Sequence, residues 1–240
     1  MIPEEQKQRM AEAVAQIRLN MAEAARRAGR DPAEVSLCAA CKTRTVEEVR
    51  YSADLPIDLF GENHVQELVE KTDAGAYNGK PGHFIGHLQT NKVNKVVGRA
   101  SLIQSVDSTR LLDKIDAAAA RLGLTQEILI EINIGAEESK SGVGPDDLWS
   151  LLEAAAAREH LRVRGLMAIP PADADDDRTR RFFAEMRELL GTAASRHYDS
   201  AQMDILSMGM SHDYAMAIEE GATIVRVGTA IYGARDYSKK

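Results

Sequence analysis

Lys42 is the residue of this chain whose setting most directly suggests covalent chemistry. It ends an apolar run over residues 35–42, VSLCAACK, whose small and branched side chains are typical of a buried strand. Burial disfavours the charged form of a lysine and lowers its pKa, and a neutral amine attacks carbonyl carbons to form Schiff bases. Lys42 is therefore a candidate nucleophile, although a lysine at a strand end can also extend its ammonium group into water.

Two segments near the other end of the chain have the composition of a phosphate-binding site. Residues 206–211 read LSMGMS and residues 225–230 read VRVGTA, and both run from a predicted strand into small or hydroxyl-bearing residues. Backbone N–H groups and hydroxyls in such turns donate hydrogen bonds to phosphate oxygens. We therefore consider the two segments together as a candidate phosphate cradle.

A permanent cation, Arg226, lies within the second of these segments. Taken alone, it could equally form an ion pair with a carboxylate of the fold such as Glu131. Taken together, an amine able to form a Schiff base, a phosphate cradle and a fixed cation favour pyridoxal 5′-phosphate (PLP) as the ligand.

Composition and charge limit the classes to which the protein can belong. The chain has 240 residues, 44% of them hydrophobic, which suffices for the core of one domain, and we predict a single domain over residues 1–240. Its formal net charge of −7 and pI near 5.5 argue against nucleic acid or a membrane surface as the main partner. The N-terminus lacks the basic and apolar regions of a signal peptide, so we expect a cytoplasmic protein.

Two residue pairs have spacings that can indicate metal or redox chemistry: Cys38 with Cys41, and His83 with His87. In a strand, residues three apart point to opposite faces and lie about 10 Å apart, whereas a disulfide needs Cα atoms within about 7 Å. The histidines have the i,i+4 spacing that brings two metal ligands together only on a helix. We therefore predict that the cysteines are packing residues and that no metal is bound.

Strand-like runs alternate with helical patterns along the chain, after a first helical segment over residues 3–29. Eight strands are predicted, at residues 35–42, 57–60, 83–86, 102–106, 127–133, 162–167, 204–207 and 223–228. Strands separated by helices with short connections favour a closed parallel (β/α)8 barrel of the TIM type. A doubly wound open sheet is the alternative, because alternation alone does not establish closure.

The C-terminal strand ends of such a barrel form one face, where active sites lie. Lys42, Asn63, Met167, Ser207 and Gly228 are at or next to predicted strand ends, so we expect them to converge. If Lys42 points into the barrel, the small side chains at every second position before it point inward too and leave space for a ligand ring.

Short motifs along the chain resemble those of the pyridoxal phosphate homeostasis protein family. They occur in family order: CKT at 41–43, FGENHVQE at 60–67, HFIGHLQTNK at 83–92, INI at 132–134, SKSG at 139–142, RGLM at 164–167, LSMGMS at 206–211 and VRVGTAIYG at 225–233. The resemblance implies a single barrel like the N-terminal domain of alanine racemase, the fold type III class of PLP proteins.

The resemblance also implies roles for individual residues. Lys42 would carry the cofactor as an internal aldimine, and Arg226 would face the pyridine nitrogen. The rest of the cofactor-binding set would be Asn63 near the ring, Met167, and the phosphate ligands Ser207, Gly228 and Thr229.

The function implied is that of a carrier that holds PLP reversibly for intracellular vitamin B6 homeostasis, without substantial catalysis. Candidate acceptors are PLP-dependent apo-enzymes, and we expect a monomer. An arginine beside the pyridine nitrogen keeps that nitrogen unprotonated and the ring a weak electron sink.

Two enzymatic alternatives remain open from the sequence. An amino-acid racemase needs bases on opposite faces of the substrate Cα; Lys42 can serve one face, and no residue for the other is evident. A class I aldolase-type barrel also uses a Schiff-base lysine, but the phosphate cradle favours PLP.

Overall fold

A closed barrel of eight parallel strands forms the centre of the protein. The computed structural model describes residues 2–137, 140–196, 198 and 201–234. The strands are β1 (Ser36–Ala40), β2 (Leu59–Glu62), β3 (Gly82–Phe84), β4 (Leu102–Val106), β5 (Gln126–Ile132), β6 (Leu161–Ala168), β7 (Ala201–Ser207) and β8 (Ile224–Val227). Each strand pairs with the next, and β8 pairs with β1, where Cys38 lies opposite Arg226. This closing pair confirms the predicted (β/α)8 barrel and excludes the open sheet.

Helices alternate with the strands around the barrel. They are α1 (Glu4–Arg27), α2 (Val46–Ser52), α3 (Val65–Asp73), α4 (Val93–Val96), α5 (Thr109–Leu122), α6 (Leu148–Ala156), α7 (Asp176–Ser195), α8 (Tyr214–Glu219) and α9 (Thr229–Tyr232). Short 3₁₀ turns precede β1, α4 and α6, at Pro32–Glu34, Thr90–Lys92 and Pro145–Asp147. Within the described ranges, no helix combines the length and apolar character needed to cross a membrane.

The additional N-terminal helix predicted from apolar periodicity is α1. Its regularly spaced apolar residues are buried on one face, as a 3.6-residue repeat requires: Met10, Val14, Ile17 and Met21. The helix packs against α8 and α9, and Asn20 Nδ2 donates a 3.0 Å hydrogen bond to Tyr214 Oη. Helix α1 therefore joins the beginning of the described chain to α8 and α9 near its end.

Several strand ends near the C-terminal face differ from the prediction by one or two residues: β2 extends to Glu62 rather than ending at residue 60, and β1 and β3 end early. β1 ends at Ala40 rather than at residue 42, because Thr43 takes a left-handed φ of 66° that turns the chain away from the sheet. β3 ends at Phe84 rather than at residue 86. There Gly86 packs on a neighbouring loop so closely that a Cβ would lie 2.2 Å from the carbonyl oxygen of Asn63.

Side chains of the strands alternate between the barrel interior and the layer that faces the helices. Leu37, Ala39 and Cys41 pack in the outer layer. The interior cluster consists of Cys38, Leu59, Leu102, Leu129, Met167 and Ile224. Both cysteines are buried and form no disulfide, as their interpretation as packing residues predicts.

Some sequence predictions include residues outside the described ranges. Ser139 of the SKSG motif is one of them. The predicted extent of the domain, residues 1–240, also includes such residues and stays a prediction.

Candidate functional site

A cavity at the C-terminal end of the barrel gathers residues from distant parts of the chain. Its volume of about 330 Å³ lies within the range of small-molecule sites, roughly 300–1,000 Å³. It is lined by Ala40, Lys42, Arg44, Asn63, Ile85, Ile169, Met210, Ser211, His212, Arg226, Gly228 and Thr229. Among the residues predicted to bind a cofactor, the structure brings together Lys42, Asn63, Arg226, Gly228 and Thr229.

The lining of this cavity is basic. Lys42, Arg44 and Arg226 contribute cationic groups, and no carboxylate is found among the described lining residues. Arg44 is held in place by its Nη2 atom, which donates to the carbonyl oxygen of Gly233 at 2.7 Å. Since opposite charges attract more strongly where water is excluded, the cavity suits an anionic ligand.

Lys42 is half-buried and lies in the loop after β1. The peptide groups on both sides of it are held by charged side chains of α3. Lys71 Nζ donates to the carbonyl oxygen of Cys41 at 2.8 Å, and the Thr43 N–H donates to Glu67 Oε2 at 2.7 Å. The backbone that carries Lys42 is therefore fixed on both sides of this residue.

The Lys71 ammonium that holds this loop is itself buried and paired. Its side chain is 1% exposed and its Nζ lies 2.8 Å from Oε1 of Glu62, a side chain that is 0% exposed. Burial works against charge on Lys71, but the carboxylates of Glu62 and Glu67 raise its pKa, so it stays an ammonium. The sequence did not reveal this clamp, because Glu67 and Lys71 have the i,i+4 spacing of an ordinary exposed helix pair.

Arg226 is a buried cation in the wall of the cavity. It is 4% exposed, and it donates to Ser207 Oγ through Nη1 at 2.6 Å and to the carbonyl oxygen of Ala168 through Nη2 at 3.0 Å. Among the described residues it has no carboxylate at ion-pair distance, so the alternative pairing with Glu131 is not formed; Glu131 acts on it only at longer range. A guanidinium has five N–H donors, and two contacts leave donors available to a ligand.

Met167 and Ser207, the remaining predicted site residues, lie beneath the cavity rather than in its lining. Met167 is 1% exposed and packs in the barrel interior with Leu129. The Ser207 hydroxyl donates to Gln104 Oε1 at 2.6 Å and accepts from Arg226. The single O–H donor of this hydroxyl is used within the protein and the side chain is 0% exposed, so Ser207 reaches the cavity through Arg226.

The loop after β7 and the start of α9 meet at the hydroxyl of Ser211. Its Oγ accepts from the N–H of Gly228 at 3.3 Å, from the N–H of Ala230 at 3.4 Å and from Thr229 Oγ1 at 3.1 Å. Donors that converge on one oxygen suit an oxyanion. A Cβ at Gly228 would lie 3.0 Å from the carbonyl oxygen of Ala40, so glycine allows this cluster to approach β1 closely.

Several lining residues were not identified from the sequence. Ser211 belongs to the selected LSMGMS segment, and its place four residues beyond the end of β7 is the signal that could have identified it. Arg44 and Ile169 lie in loops, and the pattern of strands and helices does not specify the path of a loop.

The two histidines at i,i+4 spacing lie in different environments. His83 is buried, with its Nδ1 atom 2.9 Å from Gln104 Nε2. His87 is exposed, with its Nδ1 atom 3.0 Å from Ser141 Oγ. In the part of the chain that the structure describes, no three His, Cys, Asp or Glu side chains gather in a way that could hold a metal ion.

Glu131, near the C-terminal end of β5, is a buried carboxyl group with an Oε2 atom that has no hydrogen-bond partner. It is 8% exposed. Burial, assisted by the nearby carboxylate of Asp107, raises its pKa from the ordinary value of 4.5 to about 7, against the attraction of Arg226. The electrostatics of the barrel interior therefore change in the neutral pH range.

The chain resembles known proteins over nearly its full length. It matches the family model described as "Alanine racemase, N-terminal domain" over residues 13–236. It is 42% identical over 214 residues to the pyridoxal phosphate homeostasis protein of Aquifex aeolicus, which covers 89% of this chain and 93% of that one. The protein of the same name from Escherichia coli strain K12 is 40% identical over 231 residues, with 95% and 97% covered.

A solved structure extends the similarity to three dimensions. PipY of Synechococcus elongatus, with PLP bound, has a TM-score of 0.80 and 30% sequence identity to this chain, and the match covers 93% of this chain and 100% of that one.

The titration of Glu131 predicts a pH-dependent stability. Below pH 4.5 the carboxyl is protonated in both the folded and the unfolded chain; between 4.5 and about 7 the folded chain keeps a proton that the unfolded chain has lost. The free energy of unfolding therefore falls as pH rises through this interval. Replacing Glu131 by Gln removes this loss. From pH 4.5 to 8, denaturant unfolding should show the variant gaining about 1–3 kcal/mol relative to wild type. A difference independent of pH would contradict the assignment.

Proposed function

This chain belongs to the pyridoxal phosphate homeostasis protein family, and we propose that it holds PLP in the cavity at the C-terminal end of its barrel as a Schiff base on Lys42. The protein then acts as a reversible carrier of the cofactor rather than as an enzyme. Its basic cavity, its buried arginine and its cluster of hydroxyl and N–H donors support this assignment.

The observation that carries the proposal is the meeting of three kinds of group in one cavity: an amine, a buried cation with spare donors, and donors that converge on one oxygen. When bound, PLP supplies an aldehyde that condenses with an amine by loss of water, a pyridine nitrogen that accepts a hydrogen bond, and an anionic phosphate. Lys42, Arg226 and the donors around Ser211 correspond to these three parts. The cavity volume of about 330 Å³ is adequate for a ligand of this size.

Lys42 supplies the amine from a loop whose backbone is fixed on both sides by Lys71 and Glu67. A fixed backbone reduces the conformations that the side chain must give up when it is linked to a ligand. The clamp lies on the helix-facing side of the loop, so it does not compete with the ligand for the cavity.

Arg226 determines what the bound cofactor can do. An arginine donates a hydrogen bond to the pyridine nitrogen and does not give up its proton, so the ring stays a weak electron sink. Among the described lining residues no carboxylate is available as a second base, and the one imidazole, that of His212, is exposed. These features favour storage over racemisation, and the relatives at about 40% identity are named as homeostasis proteins.

We further propose that PLP-dependent apo-enzymes receive the cofactor at the mouth of the cavity, and that the protein acts as a cytoplasmic monomer. Met210 is 38% exposed at the mouth, and His212 is exposed beside it. An acceptor protein can therefore contact both.

Borohydride reduction tests the covalent assignment. Wild-type protein loaded with PLP should carry a phosphopyridoxyl group on Lys42 after reduction, as read by peptide mass mapping. Lys42→Ala should lose this adduct and keep its thermal unfolding transition, because only a half-buried side chain is removed.

Lys80 provides a matched control, because burial lowers its pKa below the ordinary value for a lysine. If a readily deprotonated amine were enough for labelling, Lys80 would react too. We expect Lys80→Ala to retain the full adduct on Lys42. An adduct found on Lys80 or on another lysine of the wild type in place of Lys42 would refute the proposal.

Comparing PLP with pyridoxal, which lacks the phosphate, locates the phosphate site. Ser211→Ala and Thr229→Val should each weaken PLP binding about tenfold or more, since a hydrogen bond to a charged group contributes about 1.5–3 kcal/mol. Neither should change the affinity for pyridoxal. Ser207→Ala should weaken both ligands alike, because it acts through Arg226.

Equilibrium titration followed by absorbance measures these affinities. The family resemblance implies that Ser207 binds the phosphate, whereas the structure favours Ser211. The titration shows which of the two serines has this role. If Ser207→Ala removed the preference for PLP over pyridoxal and Ser211→Ala did not, the phosphate would lie at Ser207.

A further inference from the structure

A chain of hydrogen bonds crosses the barrel interior from Arg226 on β8 to His83 on β3. Arg226 Nη1 donates to Ser207 Oγ at 2.6 Å, Ser207 Oγ donates to Gln104 Oε1 at 2.6 Å, and Gln104 Nε2 lies 2.9 Å from His83 Nδ1. The four side chains are 4%, 0%, 0% and 7% exposed. His83 also lines a second cavity at the N-terminal end of the barrel, so the chain connects the two ends of the interior.

The direction of every bond in this chain follows from Arg226. A guanidinium donates and never accepts, so Ser207 must accept from it and give its own proton to the Gln104 oxygen. The Gln104 amide then presents its N–H to His83, whose Nδ1 atom must carry a lone pair. The proton of the neutral His83 ring is therefore on Nε2.

The reverse orientation of the Gln104 amide breaks the chain. Ser207 would accept from both Arg226 and Gln104, and its own buried proton would have no acceptor, which is destabilising. In the forward orientation the Ser207 proton, the Gln104 oxygen and the His83 Nδ1 atom each have a partner. Burial lowers the pKa of His83 to about 4, so the ring is neutral at physiological pH, as the forward orientation requires.

We propose that Ser207, Gln104 and His83 are positioning residues that hold the Arg226 guanidinium with its remaining donors towards the cofactor. What Arg226 faces rests on the proposed function, whereas the chain itself is a property of the protein without ligand. The proposal gives roles to Gln104 and His83, and it explains why Ser207 lies beneath the cavity. Loss of the chain leaves the cation in place with its orientation less restricted.

The first test uses the protein without cofactor. ¹⁵N-histidine NMR, with the His83 signal assigned by its loss in His83→Asn, should show the tautomer protonated on Nε2 in the wild type. In Gln104→Glu, the carboxylate accepts from both neighbours, so the proton should move to Nδ1. A wild-type ring protonated on Nδ1 would overturn the proposed direction of the chain.

The second test measures ligand affinity with a matched control. Gln126 is also a buried glutamine, at 2% exposure. Its side chain forms hydrogen bonds with the backbone of Gly98 and Ala100 and takes no part in the hydrogen-bond chain from Arg226 to His83. Gln104→Leu should weaken PLP and pyridoxal binding alike, about threefold to tenfold, the loss expected for one hydrogen bond. Gln126→Leu should leave both affinities within twofold of wild type, although it removes four side-chain hydrogen bonds where Gln104→Leu removes two.

The outcomes separate this inference from the proposed function. An affinity of folded Gln104→Leu within twofold of wild type would overturn the positioning role. If Gln104→Leu does not fold, Ser207→Ala decides the positioning role: PLP and pyridoxal binding should weaken alike, and affinities within twofold of wild type would overturn it. If wild-type protein does not bind PLP, the proposed function fails, and the tautomer still supports or refutes the chain.

Discussion

The buried charge of Arg226 is the constraint on which the C-terminal end of this barrel depends. A cation inside a protein is unfavourable unless hydrogen bonds or an opposite charge replace its hydration. Here a hydroxyl and a carbonyl oxygen contact the guanidinium, and Glu131 acts only at longer range. A direct ion pair would satisfy the guanidinium and neutralise it. A cation held by neutral groups keeps both its charge and its spare donors for a ligand, which is what a site for an anionic, nitrogen-containing cofactor requires.

Closure of the barrel brings together Lys42 and Arg226, the amine and the buried cation of the proposed site. Lys42 follows the first strand and Arg226 lies in the last, and they share a cavity because β1 pairs with β8. Small residues of β1 make room there: Arg226 lies opposite Cys38, and Gly228 approaches Ala40 closely. A ligand that contacts both strands binds only the closed barrel, so it stabilises the fold by an amount that grows with the logarithm of its concentration divided by its Kd.

The fold could be predicted from the sequence because the alternation of apolar strands and amphipathic helices persists along the chain, and because parallel strands of a barrel end on one face. The same rule predicted the meeting of Lys42 and Arg226. The rule did not predict how deep inside the barrel each residue lies. Ser207 lies inside the barrel beneath Arg226, and Ser211 lies in the loop above, yet both are serines of one short segment. The Lys71 clamp was also missed, since a helix pair that is buried by tertiary packing has the same spacing as an exposed one.

A crystal structure of the protein grown with PLP would show all three parts of the proposed site at once. We expect continuous density from Lys42 Nζ to the ligand, an Arg226 nitrogen about 3 Å from the pyridine nitrogen, as expected for a hydrogen bond, and the phosphate at the donors around Ser211. PLP joined to another lysine, or bound in the cavity at the N-terminal end of the barrel, would contradict this expectation.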